Sequence, residues 1–505
     1  MSWWMYVVMV VGCVPLLLVL WLGRGKSGGG MGTAGDLRRH KLDERRATRK
    51  ARKEYPNLWK ERQNADGMAV RVGSVGRRGV FLQHRDGVLV YGPTGSGKTA
   101  FVAWHLVMSA PGACLVTTTK ADLLAGTWLH RSKIGPVGVF DPEGLTGWPS
   151  GVRWSPLAGC KDPDVAIRRA HALAAAMPME GTKNGDFFQR KAAVLLRCYL
   201  HAAAVGGYSL RDVRMWVQSK TTQTPGKILE NSEIPAIQDW AKELAQILGS
   251  TADSSHDVIS SAADLLAPLA SPRLMQSLDC DPRDSFDPVE FIRNRGTLYL
   301  VSEGTAGSMA PFVSAFADEI VHVAIRTSQE LPGKRHDPPV RCVFDEVNNV
   351  APIPNLAGRL TDSGGRGVTM WCFVHSQAQN IRRWGLQGGR ELAASAPVRL
   401  ILPGLNDVEE LEGISRLIGR RRRWVKDRTG RGGSWRDDEV MPANRIQQLP
   451  TQHALLLPRN TPPFLIKLPT VFAGRNARLR AESETEFEAV LTRGHVASSV
   501  EVPAL

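Results

Sequence analysis

The sequence predicts an α/β protein whose largely parallel sheet is covered by helices, with an inserted all-helical domain and one N-terminal transmembrane helix. From Gly87 onward, short apolar runs alternate with helical stretches, the pattern of parallel strands joined by helical crossovers. Between about Asp162 and Leu278 the strand-like runs disappear and helical periodicity continues alone. The first residues form one uncharged apolar run. A chain of 505 residues is expected to contain two or more domains.

The apolar run Trp3–Leu22 predicts a membrane anchor. It carries no charge and is about 20 residues long, enough to cross a hydrocarbon core of roughly 30 Å. A cleaved signal peptide fits poorly, since no basic residue precedes the run. Arg24, Lys26 and further basic residues follow it. We therefore expect a single-pass protein of the inner (cytoplasmic) membrane, with its C-terminal bulk in the cytoplasm.

The stretch after this segment is glycine-rich and then strongly basic. Gly25–Gly35 is expected to be a flexible linker. Leu37–Arg62 carries many lysines and arginines without an apolar stripe, so we expect no core helix there. Two interpretations stay open, attraction to anionic membrane lipid and a solvated connector.

Composition narrows the classes of partner. The formal charge of +15 suits nucleic acid or an anionic membrane surface. The seven cysteines are scattered and include no CxxC pair. This pattern argues against a disulfide framework and a structural zinc site, and it favours a reducing cytoplasm.

A complete phosphate-binding loop follows the first strand of the alternating region. The strand Val88–Tyr91 leads into GPTGSGKT, and the helix Thr99–Met108 follows. Glycines let backbone N–H groups surround a phosphate at the positive end of a helix. Lys98 would reach the β- and γ-phosphates of ATP, and Thr99 would offer its hydroxyl to Mg²⁺. The nucleotide-binding candidates are Gly92, Pro93, Thr94, Gly95, Ser96, Gly97, Lys98 and Thr99.

Two carboxylates end a later apolar strand. Val340–Phe344 is apolar apart from Arg341, and Asp345 and Glu346 follow it directly. In a hydrolysing site, Asp345 would hold the Mg²⁺ shell and Glu346 would polarise the attacking water. The alternative is an acidic turn that faces solvent. We favour the catalytic interpretation, because no rival carboxylate pair ends an apolar strand of the sequence.

A third polar group follows the strand Val368–Val374. His375, Gln377 and Gln379 stand where a neighbouring strand would present a sensor of the γ-phosphate. The alternative is a structural role, which is common for a histidine or glutamine at a strand end. The sequence leaves the sensor open among these three residues.

The densest basic run after the juxtamembrane stretch predicts a contact with DNA. Its candidates are Arg420, Arg421, Arg422, Arg423 and Trp424. A hairpin here could face a phosphate backbone, with the tryptophan available for stacking. The alternative is an ordinary solvated hairpin. Helix-turn-helix and zinc-finger spacings are absent from the sequence, so sequence-specific reading of DNA is not predicted.

A series of motifs in one order resembles the conjugative coupling proteins of type IV secretion, the TraG/TraD-like family. Together with the phosphate loop, the similarity covers roughly Gly87 to Leu468. The segments that carry it are TTTKADLLAGTWLHR (Thr117–Arg131), GPVGVFDPEGL (Gly135–Leu145), GDFFQRKAAVLLRCYLHAA (Gly185–Ala203), FDEVNNVAPIPNL (Phe344–Leu356) and GGRGVTMWCFVHSQAQNIRRWG (Gly364–Gly385).

The resemblance implies a hexameric RecA-like P-loop ATPase of the FtsK/HerA type, powered by ATP with Mg²⁺. Members of the family couple a relaxase–DNA complex or an effector protein to the channel components of the secretion system. Ring motors of this kind complete each site with an arginine of the next subunit, and Arg366 is the candidate here. Its alternative role is a turn residue that pairs with a local carboxylate. The family often has glutamine at the position of His375, and many members have two membrane spans.

The resemblance also organises the chain into six predicted segments. The helical insertion would recognise substrate, and it would divide the nucleotide-binding domain into two parts. The segments are an anchor (1–23), a basic juxtamembrane linker and entry to the motor domain (24–86), the first part of the nucleotide-binding domain (87–161), the helical insertion (162–278), the second part (279–470) and a C-terminal tail (471–505).

Two other functions compete with that of a coupling ATPase. An FtsK-like translocase of double-stranded DNA would need a C-terminal winged-helix module, for which the tail is too short. A non-hydrolysing membrane assembly scaffold is disfavoured by the intact Lys98, Thr99, Asp345 and Glu346. The sequence leaves open whether the cargo is DNA or protein, and whether DNA would be single- or double-stranded.

Overall fold

In the part of the chain that the structure describes, an 11-stranded sheet forms the centre, and a separate two-stranded ribbon accompanies it. The computed structural model describes residues 30–149, 151–177, 185–219, 223–249, 253–304, 309–426 and 433–499. The strands are β1 (Val70–Val75), β2 (Arg78–Leu82), β3 (Val88–Tyr91), β4 (Cys114–Thr118), β5 (Val137–Phe140), β6 (Thr297–Val301), β7 (Val340–Phe344), β8 (Val368–Val374), β9 (Val398–Ile401), β10 (Arg420–Lys426), β11 (Gly433–Glu439), β12 (His453–Pro458) and β13 (Phe464–Lys467).

The strand order of the main sheet is β2-β1-β13-β12-β9-β3-β8-β7-β4-β6-β5. From β9 to β5 every neighbouring pair is parallel. The remaining strands extend the sheet with antiparallel pairing. Every residue of β3, β4, β6, β7 and β8 is buried, because helices cover both faces of a parallel sheet. β8 lies between β3 and β7, so the carboxyl ends of these three strands are neighbours.

Helices flank the sheet and form the segment between β5 and β6. They are α1 (Ala34–Arg39), α2 (Glu44–Glu54), α3 (Pro56–Lys60), α4 (Ala65–Met68), a π-helical turn (Thr99–Ala103) that continues into α5 (Trp104–Met108), α6 (Asp122–Ala125), α7 (Trp128–Arg131), α8 (Pro163–Ala174), α9 (Gly185–Gly206), α10 (Leu210–Gln218), α11 (Thr224–Glu230), α12 (Pro235–Gly249), α13 (Asp253–Leu266), α14 (Pro272–Leu278), α15 (Pro288–Arg293), α16 (Ala310–Ser328), α17 (Leu356–Asp362), α18 (Gln377–Ser395), α19 (Val408–Ile418), α20 (Ala443–Gln447) and α21 (Gly474–Ser499). Short 3-10 helices cover Ala267–Ala270, Pro332–Lys334 and Ser363–Arg366.

The described residues between β5 and β6 form helices and no strand. The first helix, α8, begins where the Asp162 side chain accepts the Asp164 N–H at 2.9 Å. α8 packs against α9 on one side and against α16 on the other. It therefore connects this helical segment to the layer that covers the sheet.

A largely buried ion cluster strengthens that connection. Arg168 and Arg169 of α8 donate to Glu319 of α16 at 2.5 and 2.9 Å. Arg359 of α17 lies 2.5 Å from Asp318, whose side chain is 1% exposed. Burial raises the pKa of Asp318, although Arg359 and Arg168 oppose the shift. The cluster joins three helices through charges that have little contact with water.

The α/β class is confirmed, and the predicted bounds of the strands around the site agree with the structure. The predicted ranges Val88–Tyr91, Val340–Phe344 and Val368–Val374 coincide with β3, β7 and β8. The antiparallel strands β1, β2, β12 and β13 were not predicted. β1 and β2 each contain an arginine and a glycine, so they lack the largely apolar signal of the buried parallel strands. β12 and β13 do carry short apolar runs, Ala454–Leu457 and Phe464–Ile466, which the sequence interpretation did not use.

The prediction of no core helix in the basic stretch Leu37–Arg62 is wrong. Residues of this stretch form the end of α1 and the whole of α2 and α3. Helix α2 buries Ala47 and Ala51. Small alanines supply the buried stripe, and long basic side chains occupy the exposed face. The stripe was missed because alanine contributes little to an apolar pattern.

The structure contradicts the predicted single-pass localisation in the inner membrane. Among the helices of the described residues, none combines the length and the apolar character needed to cross a bilayer. The segment Trp3–Leu22, on which the prediction of a transmembrane helix and anchor rested, lies outside the described residues.

The predicted C-terminal tail contains a long helix, α21. Its Ser483 hydroxyl donates to the Ala125 carbonyl at 2.6 Å, and the Ser483 carbonyl accepts the Trp128 indole N–H at 3.1 Å. Phe487 stacks on Trp148 with ring centroids 5.3 Å apart. The described part of this tail therefore packs against the regions that follow β4 and β5.

Candidate nucleotide site

The phosphate loop connects β3 to the π-helical turn at Thr99. Gly95 and Gly97 adopt φ values of +82° and +83°, a backbone conformation that glycine tolerates without the strain of a side chain. The buried Lys98 ammonium donates to the Gly92 carbonyl at 2.9 Å, so its side chain curls back over the loop. The loop thereby presents the lysine at the start of a helix, where an anion is favoured.

The two carboxylates stand at the end of β7. The Thr117 hydroxyl of neighbouring β4 donates to the Asp345 carbonyl at 3.1 Å. Asp345 is buried, and among the described residues its Oδ1 atom has no hydrogen-bond partner. Glu346 adopts φ +51°, a left-handed conformation that strains a residue with a side chain. A buried carboxylate oxygen without a partner fits a ligand to a divalent cation, the role predicted for Asp345.

His375 bridges the lysine and the glutamate. Its Nδ1 atom lies 3.4 Å from the Lys98 Nζ atom. Its Nε2 atom lies 3.5 Å from the Glu346 Oε1 atom. Because β8 lies between β3 and β7, the residue that follows β8 reaches both neighbours. The structure thus brings His375 together with the predicted catalytic residues on both sides.

The ionisable groups of the site shift one another's pKa values. Burial raises the pKa of Asp345 to about 6, against the opposing effect of the Lys98 ammonium. Burial lowers the pKa of Lys98, while Asp345 and Glu346 act in the opposite direction. The hydrogen bond from His375 lowers the pKa of Glu346. Glu346 is therefore held as a carboxylate, the form that a general base requires.

A cleft of about 230 Å³ lies over these groups. Its lining residues are Thr94, Gly95, Gly97, Lys98, Thr99, Ala100, Thr118, Thr119, Lys120, Asp122, Leu123, Asp345 and Glu346. Lys120 was not singled out as a site residue from the sequence. A signal was available, because Lys120 follows β4 and the carboxyl ends of parallel neighbours meet at one edge.

The two candidate glutamines have different surroundings. The Gln379 side chain accepts the backbone N–H of His375 at 3.4 Å and donates to the Asn349 side chain at 3.2 Å. It therefore contacts the backbone of the histidine. Gln377 accepts the Tyr91 hydroxyl at 3.1 Å and donates to the Gly389 carbonyl at 2.9 Å. Both of its amide atoms are thus engaged by structural groups. Of the three candidates, His375 has the direct contacts with Lys98 and Glu346.

Arg366 lies at the opposite end of β8. It ends the 3-10 helix Ser363–Arg366, two residues before the strand begins, and its Nε atom donates to Asp362 at 3.0 Å. The phosphate loop follows the carboxyl end of β3, whereas Arg366 precedes the amino end of the parallel neighbour β8. It is therefore not brought together with the cleft of its own subunit.

The predicted DNA-contact residues belong to the separate ribbon of β10 and β11. Its register sets Arg420, Arg421 and Arg422 opposite Glu439, Asp438 and Asp437. Arg423 lies opposite Arg436, and Trp424 lies opposite Trp435. The acidic residues of β11, which the sequence interpretation did not weigh, thus face three of the four arginines.

The main sheet, the phosphate loop and the carboxylate strand define an α/β fold of the P-loop NTPase class. Within this class, residues 339–451 match the family model described as the TraM recognition site of TraD and TraG. No curated protein sequence matches the chain.

Solved structures of a conjugative coupling protein share the fold. The unbound monoclinic form of the bacterial conjugative coupling protein TrwBdeltaN70 has a TM-score of 0.62 and 19% identity, with 79% of this chain and 89% of that chain covered. The plasmid coupling protein TrwB in complex with ADP and Mg²⁺ has a TM-score of 0.58 and 19% identity, covering 77% and 86%. TrwB with the non-hydrolysable ATP analogue ADPNP has a TM-score of 0.57 and 18% identity, covering 77% and 86%.

The motif-based resemblance to the type IV secretion coupling-protein family is thereby confirmed. The family model supports it over residues 339–451. The solved coupling-protein structures share the fold over most of the chain. The ligands named for these structures, an ATP analogue and ADP with Mg²⁺, are of the kind predicted for this chain.

Proposed function

We propose that this chain is an ATPase that couples a DNA or protein substrate to a conjugation-type secretion channel and works in an oligomeric ring. The observation that carries the proposal is the convergence of Lys98, Asp345 and Glu346 on one cleft at the carboxyl edge of a parallel sheet. His375 contacts both Lys98 and Glu346 beside this cleft. The ordered family motifs supply the biological context. A relaxase–DNA complex is the cargo that this context favours, and a homo-hexamer is the ring.

The residues of the cleft fit ATP with Mg²⁺. The unpartnered Oδ1 atom of Asp345 and the nearby Thr99 hydroxyl would hold the cation, and Lys98 with the loop amides would hold the phosphates. The cation, when bound, neutralises charge on the transferred phosphoryl group. Asp345 must lose its proton for this role, and the positive charge of a cation would favour that loss.

Glu346 would orient and deprotonate the attacking water. In this arrangement His375 holds the Glu346 carboxylate while its other ring nitrogen lies near Lys98. A terminal phosphate that engaged Lys98 would compete with the histidine for the ammonium. We therefore propose His375 as the residue that senses the γ-phosphate, with Gln379 orienting its backbone.

The segment between β5 and β6 is proposed to recognise substrate. It is joined to the sheet through α8 and the ion cluster around Asp318 and Glu319, so a movement of either part would act on the other. The family description also supports a partner of the TraM kind for the exposed parts of residues 339–451.

Hydrolysis of ATP by the full chain tests the proposal. Turnover would be measured with and without DNA, beside the variant Glu346→Gln. Turnover stimulated by DNA and lost in the variant would support a motor that acts on nucleic acid. Turnover that ignores DNA would favour a protein cargo. If the chain binds nucleotide and assembles but does not hydrolyse ATP, the result would contradict the proposed ATPase and favour a non-hydrolysing assembly scaffold.

A further inference from the structure

The segment between β13 and α21 lies at the edge of the sheet that carries the phosphate loop. Strand β13 is antiparallel to β12, β12 is antiparallel to β9, and β9 is parallel to β3. β13 therefore runs in the same direction as β3, and both strands end at the same edge of the sheet. The residues that follow β13 and precede α21 leave the sheet at the edge where the phosphate loop begins.

Phe472 of this segment is 64% exposed, although its backbone is held in place. Its N–H donates to the Thr470 hydroxyl at 3.2 Å, and the Asn476 side chain donates to the Thr470 carbonyl at 3.2 Å. The preceding residue, Val471, is buried in the core. The segment thus presents a large apolar ring to solvent at a defined position.

The Phe472 ring is connected to the phosphate loop through one side chain. Its centroid lies 6.3 Å from that of Phe101, and the two rings are nearly perpendicular, at 84°. Phe101 belongs to the π-helical turn that begins at Thr99. A Cβ atom added at Gly97 would lie 2.3 Å from the Phe101 Cδ2 atom, so the Phe101 ring packs directly against the loop.

Phe472 also has a cation over its ring. The guanidinium carbon of Arg480 lies 5.4 Å from the ring centroid, a favourable cation–π contact. The Arg480 Nε atom donates to Glu484 at 2.6 Å, which holds the guanidinium in this position. Arg480 therefore covers one face of the ring, and the exposed surface that remains is available to a second planar group.

The order of residues along the cleft indicates the direction in which a nucleotide would extend. Glu346 is proposed to act at the terminal phosphate, whereas Thr99 and Ala100 line the cleft at the start of the helix. A triphosphate with its terminal group at Glu346 would carry its nucleoside at the other end, beyond the start of the helix. Phe101 follows Ala100 in the chain and contacts Phe472.

We propose that Phe472 stacks on the base of the bound nucleotide, while Phe101 and Arg480 hold the ring in place. The inference deepens the proposed function by assigning a base subsite to its ATP site, and it rests on that function. Stacking contacts the π-face that every base has, so this subsite should accept adenine and guanine alike.

Isothermal titration calorimetry of the full chain with Mg²⁺ tests the subsite. The two probes are adenylyl imidodiphosphate, a non-hydrolysable ATP analogue, and inorganic tripolyphosphate, which has no base. Phe472→Ala should weaken binding of the analogue about tenfold or more and leave binding of tripolyphosphate unchanged. The corresponding guanine analogue should lose affinity to the same extent. Phe472→Trp should retain most of the affinity.

The matched control is Phe187→Ala on α9. Phe187 is also an exposed phenylalanine, with Phe188 at 79° beside it and Lys191 over its ring. It belongs to the helical segment between β5 and β6 rather than to the edge of the phosphate loop. This variant should bind both probes like the parent.

The two probes separate an effect on the base from an effect on the phosphate loop. Weaker binding of the analogue with unchanged binding of tripolyphosphate supports the proposal. Equal loss for both probes overturns it, since Phe472 would then act on the loop through Phe101.

Two further results would also overturn the inference. One is a Phe472→Ala variant that binds the analogue like the parent, which would favour a contact of Phe472 with another protein chain. The other is a parent that binds the analogue no more tightly than tripolyphosphate. If the parent hydrolyses no ATP but Phe472 still governs affinity for the analogue, the inference stands and the proposed ATPase fails.

Discussion

At the scale of single residues, the backbone of Glu346 is unusual. A left-handed φ at a residue with a side chain costs roughly 1–2 kcal/mol, and Glu346 adopts φ +51° directly after a buried strand. The conformation aims its carboxylate toward His375 rather than along the sheet. Such strain is typical of residues whose direction matters more than their local stability.

Glu346→Gln should abolish turnover without abolishing binding. Loss of the general base is expected to lower ATP hydrolysis by about 10² to 10⁴-fold, while nucleotide affinity should change by a few fold. Steady-state hydrolysis and equilibrium nucleotide binding measure the two effects. The control is Glu412→Gln, an exposed residue of α19, which should behave like the parent. A variant with normal turnover would remove Glu346 from the mechanism.

Glu410 provides a prediction about pH. Burial raises its pKa to about 7, although the Gln377 N–H opposes the shift. Because the folded pKa lies above the unfolded value of 4.5, the stabilisation from this group is fully present below about pH 4.5 and is lost as pH rises through 7. Glu410→Gln should therefore raise the free energy of unfolding at pH 8 by roughly 1–3 kcal/mol.

Urea denaturation at pH 5 and pH 8 would measure this effect. The variant should show a smaller decline in stability between the two values than the parent. The neighbouring Glu409→Gln is the control, since Glu409 is exposed on the same helix. An equal decline in Glu410→Gln and the parent would show that Glu410 does not titrate as inferred.

At the scale of elements, the sequence predicts the parts of the site that depend on buried strands. The strands β3, β7 and β8 are buried along their whole length and are apolar except for Arg341 and Thr369, so their ends were found and the residues after them became candidates. The order of these strands in the sheet cannot be predicted from the sequence of any one segment. The contact of His375 with both Lys98 and Glu346 follows only from the position of β8 between β3 and β7.

The ribbon of β10 and β11 shows why the register of paired strands could not be predicted from the sequence. The run Arg420–Trp424 was evident, but its partners on β11 depend on which residues face each other across the strands. A shift by one residue would separate Trp424 from Trp435 and move the side chains to the other face. The roles of the four arginines therefore became distinguishable only with the pairing.

The ion cluster between α8, α16 and α17 gives a prediction about an element contact. Asp318→Asn leaves Arg359 without its closest carboxylate partner. Removing one member of a buried pair is expected to destabilise the chain by about 3 kcal/mol. Chemical denaturation would measure the loss. Asp239→Asn is the control, because its pair with Lys242 is exposed and should contribute less than about 1 kcal/mol. Equal stability of Asp318→Asn and the parent would contradict the cluster's role.

At the scale of the whole molecule, the position of Arg366 leads to a test of the ring. If Arg366 serves the site of a neighbouring subunit, Arg366→Ala should lower hydrolysis about 10³-fold and leave nucleotide binding intact. Mixed rings of Arg366→Ala and Glu346→Gln subunits should recover part of the activity. In those rings, some sites combine an intact Glu346 with an intact Arg366 from the neighbour.

Recovery on mixing would be measured against each variant alone. Arg283→Ala is the control for loss of an exposed arginine, since the Arg283 side chain is 88% exposed. Normal hydrolysis by Arg366→Ala would leave this arginine with its local partner Asp362 and no role between subunits. Loss without recovery in demonstrably mixed rings would also exclude the shared site.

The antiparallel extension of the sheet has a consequence for synthesis of the chain on the ribosome. Strand β1 pairs with β2 on one side and with β13 on the other, where Ser74 faces Lys467. The β1–β2 hairpin is made early, but its second neighbour is translated about 390 residues later, which takes roughly 20–80 s at typical elongation rates. During that interval the nascent chain carries an unpaired strand edge that can recruit foreign strands. Chaperone dependence should therefore concentrate at the amino-terminal hairpin and end when β13 is released.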